Sequence, residues 1–63
     1  MSKTVWLDVE IRKLTELGVL VHNGERQAWV PRSSIIDYED DLEEGAEIKI
    51  ELAEWLAADK GLV

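Results

Sequence analysis

Val19-Leu20-Val21-His22-Asn23-Gly24-Glu25-Arg26-Gln27-Ala28-Trp29-Val30 reads as two strands joined by a tight turn. Asn-Gly between two such runs is the strongest short-range signal of a β-hairpin, because a type I′ turn requires positive φ at both central positions. With Asn23 and Gly24 in those positions, His22 faces Glu25, Val21 faces Arg26 and Leu20 faces Gln27. Val19 then faces Ala28, Gly18 faces Trp29 and Leu17 faces Val30. Opposed residues share a face of a sheet. Leu17, Val19, Ala28 and Val30 are therefore expected to point into the core, and Trp29 to cover the bare backbone of Gly18 on the other face. Pro31 has no N–H to give a ladder and ends the strand.

Outward from the hairpin, the periodicity stays at two. Val5, Leu7, Val9 and Ile11 alternate with Trp6, Asp8, Glu10 and Arg12, the pattern of a half-buried strand. The first hairpin strand spans Leu17–His22 and the second Glu25–Val30. Pro31-Arg32-Ser33-Ser34 reads as a turn or a short 3₁₀ segment, followed by the apolar pair Ile35-Ile36 and an acidic connection over Asp37–Gly45. Ala46, Ile48, Ile50 and Leu52 then face inward on another alternating strand. The tail, Ala53–Gly61, changes to helix formers, with Glu54 early, Lys60 late and Gly61 at a C′ position. Two turns of helix are unstable alone, so Leu52, Trp55 and Leu56 are expected to dock it on the sheet. The expected fold is α+β, a four- to five-stranded antiparallel sheet or partial barrel with one short C-terminal helix, in a single β-rich domain over residues 1–63.

A chain of 63 residues without cysteine has a small core and neither disulfides nor thiolate metal sites to support it. Met1-Ser2-Lys3-Thr4-Val5-Trp6-Leu7-Asp8 meets an acid before any apolar export segment develops, and no apolar run approaches the length of a membrane span. The expected location is the cytoplasm. Charge divides the chain: residues 1–36 hold five basic groups and four acids, whereas residues 37–63 hold two lysines and ten acids, for a total of −7. Such a chain is repelled by nucleic acid and anionic membranes and attracted to basic protein surfaces.

Two segments carry a resemblance. Ala28-Trp29-Val30-Pro31-Arg32-Ser33-Ser34-Ile35 resembles a W-hydrophobic-P-basic-S-x-I segment of small phage and prophage proteins, and Glu54-Trp55-Leu56-Ala57-Ala58-Asp59-Lys60-Gly61-Leu62 resembles the EWLAxxKGL ending of the same group. The order of strand, hairpin, acidic loop, strand and helix agrees, so the likeness covers most of the chain. Both motifs are structural anchors and carry no chemistry. The resemblance implies a small acidic phage inhibitor, specifically an anti-CRISPR protein acting on a type I surveillance complex.

Asp37, Glu39, Asp40, Asp41, Glu43, Glu44 and Glu47 place seven carboxylates in eleven residues. Fully extended, that stretch spans at most about 36–40 Å, one charge per roughly 5 Å against a phosphate per about 3.4 Å of a DNA strand. In an extended segment Asp37, Glu39, Asp41 and Glu43 share one side, and Glu47 and Glu51 on the next strand add to it, interrupted by Lys49. The functional reading is a nucleic-acid decoy that engages a basic groove of a nucleic-acid-binding complex. The alternative is a solvated loop that keeps a small protein soluble. Calcium fits poorly: Asp37, Glu39 and Asp41 match the first EF-hand positions, but Leu42 replaces the required glycine and Ile48 the final glutamate.

Catalytic signals are weak. His22 reads as an exposed turn histidine, Ser33 and Ser34 lack an activating motif, and Asp8 and Glu10 share a strand face without a pocket to raise either pKa. The chain is expected to be no enzyme, with no catalytic residue, no cofactor and no metal. Trp55 is expected in the core, and Trp6 and Trp29 on the opposite sheet face, as a second cluster or as an aromatic anchor. That face defines the second functional reading, a structural or accessory module acting as a homodimer or subunit. An acidic antitoxin is a third, though no promoter-binding module is visible.

Overall fold

The computed structural model describes residues 3–63; Met1 and Ser2, which begin the stretch read for an export signal, lie outside the described residues. Five antiparallel strands form one sheet: β1 (Thr4–Leu14), β2 (Gly18–His22), β3 (Gln27–Pro31), β4 (Asp37–Tyr38) and β5 (Glu47–Ala53). Their order is β3-β2-β1-β5-β4, so the longest strand is central and the sheet stays open instead of closing into a barrel. A 3₁₀ turn, Arg32–Ser34, carries the chain from β3 across to β4, and helix α1 (Glu54–Asp59) ends the fold.

The core lies on one face of the sheet. Val9, Ile11, Val19, Val21, Val30, Ile48, Ile50 and Leu52 are buried together with Leu56, Ala57 and Leu62 from the C-terminal segment. β1, β2, β3 and β5 contribute every second residue to this face, and the pairings Val5↔Leu52, Leu7↔Ile50 and Val9↔Ile48 bring like with like. The alternation on β1 ends at a bulge between Ile11 and Lys13. The extra residue, Arg12, changes the phase by one, so that Leu14 instead of Lys13 packs against the core. This bulge extends the strand beyond the Val5–Ile11 run expected from periodicity.

The hairpin forms, but its turn lies one residue further along. Among the turn residues only Gly24 has positive φ, at 100°, so Asn23 is no central residue of a type I′ turn. Gly24 and Glu25 take the central positions, with glycine first as in a II′ turn. Asn23 N–H donates to Arg26 O at 3.0 Å, and Asn23 Oδ1 accepts from Arg26 N–H at 2.8 Å and Glu25 N–H at 3.0 Å. The asparagine thus serves as a side-chain cap of the turn, which competes with the left-handed conformation the pair usually adopts. Every partner moves by two residues, to Val21↔Ala28, Val19↔Val30 and Gly18↔Pro31. A shift of two preserves the faces, so the expected core membership of Val19, Ala28 and Val30 holds.

Leu17 and Trp55 depart from expectation. Thr15 N–H donates to Gly18 O, and Gly18 N–H donates to Thr15 Oγ1, both at 2.9 Å, closing a turn with Leu17 at its tip, 85% exposed. Trp55 is 67% exposed while Leu56 and Ala57 are buried. At about 100° per residue, a helix that turns Leu56 and Ala57 inward carries Trp55 to its outer side. The docking is therefore made by Leu52, Leu56 and Ala57, with Leu62 added.

α1 closes in a Schellman motif. Leu62 N–H donates to Ala57 O (2.8 Å) and Gly61 N–H to Ala58 O (3.1 Å), with Gly61 at φ 73°. The turn folds Leu62 back beside Ala57 in the core. A Cβ at Gly61 would also meet Arg26 Cδ at 3.1 Å. Gly61→Ala is therefore expected to destabilise the protein by about 1–2 kcal/mol, read as a lower urea midpoint at unchanged slope. An unchanged midpoint would show that the cap contributes nothing to stability.

Candidate carboxylate face

Among the described residues no helix covers the sheet face opposite the core, and the residues that alternate with the core residues are displayed on it. Ile11 N–H donates to Ala46 O (2.8 Å) and Glu54 N–H to Lys3 O (2.9 Å). This phase makes Trp6↔Glu51, Asp8↔Lys49 and Glu10↔Glu47 the non-hydrogen-bonded pairs between β1 and β5, the ones whose side chains approach most closely. Glu10 and Glu47 therefore stand directly opposite one another, and on the other side of β5 Asp37 stands opposite Glu51. Like charges in these positions destabilise a sheet.

Partial compensation is visible. Arg12 Nε lies 2.6 Å from Glu10 Oε1, and Lys49 Nζ lies 3.8 Å from Asp8 Oδ1. Glu51 Oε2 accepts from the Thr4 hydroxyl at 2.6 Å, and Asp37 Oδ1 from Tyr38 N–H at 2.8 Å. No basic side chain forms an ion pair with Glu47, Asp37 or Glu51 among the described residues.

The acidic connection does not run as an extended rod. Asp37-Tyr38 is a strand, and Glu39 N–H still donates to Lys49 O at 3.0 Å, but Asp40 has φ 64° and breaks the extended run. The expected common side for Asp37, Glu39, Asp41 and Glu43 therefore ends at Glu39. The turn at Asp40 instead brings Glu39 and Asp40 beside Asp8, Glu10 and Glu47 around an open concavity of about 490 Å³. His22 and Lys49 line the same hollow. Asp41 and Glu43 are exposed and do not line it. Glu44 turns toward the far end of β1, where its Oε2 accepts from Leu14 N–H at 3.1 Å, a structural role.

Of the eight carboxylates expected in the site, Glu39, Asp40 and Glu47 meet at the concavity and Asp37 pairs with Glu51. Asp8 and Glu10 complete the concavity, and only the β1–β5 register reveals them. His22 is half-buried, opposite Glu10 and Gln27 instead of Glu25, and its Nδ1 accepts from Gly24 N–H at 3.1 Å. Trp6 and Trp29 lie on this open face, 45% and 46% exposed. They are two strands and some six residues apart, on the order of 20 Å, so the expected aromatic cluster does not form. Among the described residues no three His, Asp or Glu side chains are placed to hold a metal ion, and no helix is long and apolar enough to cross a membrane.

No family model, curated protein or solved structure matches the chain.

Removing one charge of an opposed pair should relieve repulsion. Glu47→Gln is expected to raise stability by about 0.2–1 kcal/mol at low ionic strength, with the gain shrinking in high salt as screening removes the repulsion from both proteins. Thermal melts in a salt series measure this, and a lower melting temperature for the variant would assign Glu47 to the fold instead.

Proposed function

We propose that the chain is a non-catalytic binding protein that sets its carboxylate face against a basic, nucleic-acid-binding surface of another protein, as a decoy for nucleic acid. The carrying observation is the placement of Glu10 opposite Glu47 and of Asp37 opposite Glu51. A solvated loop needs charge but gains nothing from carboxylates stacked across strands at a cost in stability. A partner that inserts arginine or lysine among them removes that cost on binding and steers association at long range. The concavity bordered by Asp8, Glu10, Glu39, Asp40 and Glu47 is where one such side chain enters. We take the target to be a bacterial defence complex of the type I CRISPR class. That narrower part rests on the resemblance of the Trp29–Ile35 and Glu54–Leu62 segments to phage proteins.

The same face also suits a homodimer or accessory subunit, because Trp6 and Trp29 are large exposed anchors on it. The two readings differ in their response to salt. Capture from a bacterial lysate on the immobilised chain, eluted with a salt gradient and identified by mass spectrometry, is expected to release a nucleic-acid-binding complex at moderate salt. Replacing Glu39, Asp40 and Glu47 by their amides should weaken capture at least about tenfold, in line with charge pairs at interfaces. Capture that ignores both salt and these substitutions but is lost in Trp6→Ala or Trp29→Ala would overturn the decoy reading in favour of the module.

A further inference from the structure

The edge of the sheet remote from β4 and β5 has a different character. Asn23 N–H donates to Arg26 O and Arg32 N–H to Leu17 O, each at 3.0 Å. With the register Val21↔Ala28 and Val19↔Val30, this fixes the alternation on β3. Ala28 and Val30 direct their backbone groups at β2, while Gln27, Trp29 and Pro31 direct theirs away from the sheet. Pro31 occupies an outward position, so its missing N–H costs the β2–β3 ladder no bond. The free edge thus offers two N–H donors and two carbonyl acceptors, from Gln27 and Trp29, while the carbonyl of Pro31, the N-cap of the 3₁₀ turn, serves that turn.

Side chains around this edge define what would fit. A shallow hollow of about 330 Å³ lies at the end of the strand, bordered by Leu17, Gly18, Trp29, Val30 and Pro31, with Lys60 at its side. Arg26 and Arg32 flank β3 at its two ends, whereas Lys13 stands on β1, two strands in from this edge. Three of the seven basic residues, Arg26, Arg32 and Lys60, therefore lie by this edge in a chain of net charge −7, with Glu16 and Glu25 as the acids of the adjoining turns.

We propose that the free edge of β3 is a second docking site, which accepts an extended acidic segment of a partner protein as a sixth strand. Backbone bonds to Gln27 and Trp29 hold the segment, its acids meet Arg26 and Arg32, and one apolar side chain enters the hollow beside Trp29. Charge selects this occupant over a second copy of the chain. Two β3 strands paired about Trp29 would set Arg26 opposite the partner's Arg32 at both ends, a like-charge contact. The β3 edge lies at the opposite end of the sheet from β4 and β5.

The test is a titration of the full ¹⁵N-labelled chain with a capped synthetic peptide of alternating aspartate and valine with a central leucine. Saturable shifts and slowed hydrogen exchange are expected at the Gln27 and Trp29 amides. Affinity should fall at least about tenfold when lysine replaces aspartate in the peptide and in Arg32→Glu, as for close charge pairs. Gln27→Pro, which removes an outward donor unused inside the sheet, should weaken binding while the amide spectrum remains that of the folded protein. Equal binding of the lysine peptide would overturn the proposal, as would shifts centred on the Asp8–Glu47 concavity or no saturation by about 1 mM peptide. A doubled mass by light scattering with the same amides protected would overturn it in favour of the second copy.

Discussion

The pairing of β1 with β5 is the constraint on which the rest of the protein depends. It aligns the alternation of two strands over the register Thr4↔Ala53 to Glu10↔Glu47, so that one face receives Val5, Leu7, Val9, Ile48, Ile50 and Leu52. A chain this small has apolar material for one layer of core and no more. Among the described residues one α-helix covers that layer, and the other face carries none. The same register that collects the core therefore collects charge on the opposite side. Glu10 meets Glu47 for the same geometric reason that Val9 meets Ile48.

The closure of α1 shows how a marginal core is completed. Six helical residues cannot hold themselves together in water, yet Glu54–Asp59 is anchored at both ends. β5 runs directly into its first turn, and the left-handed Gly61 returns Leu62 to the core beside Ala57. The Arg26 side chain lies against Gly61, which joins the hairpin to the helix terminus, where a cation is electrostatically favoured. Asn23 adds a hydrogen bond from Nδ2 to Leu62 O at 3.4 Å. Hairpin and helix end thus support each other through two side chains from one turn.

The open face and the two free edges give the sheet a polarity. Carboxylates crowd β4, β5 and the connection between them, while Arg26, Arg32 and Lys60 lie around β3. In the functional proposals, one edge addresses basic surfaces and the other addresses acidic strands. An inhibitor or adaptor that must engage a large complex through a small body benefits from both, because the opposite charges orient it on approach.

The amino-acid sequence by itself determined the elements other than β4, which falls in the stretch read as an acidic connection. Period-two alternation identified β1 and β5, Asn-Gly located the hairpin, Pro31 ended β3, and the change to helix formers with Gly61 marked α1, because all of these signals are local to a few residues. Tertiary structure decided what depends on the partner strand. The hairpin register followed from the φ actually available to Asn23, and the bulge at Arg12 carried β1 on to Leu14. Trp55 turned outward once Leu56 and Ala57 had taken the core. The carboxylate site was half legible: Glu39, Asp40 and Glu47 stand close in sequence, whereas Asp8 and Glu10 join them only across β1 and β5. Local signals specify how the backbone runs, but which charges confront each other is set by register, a contact between residues some forty positions apart.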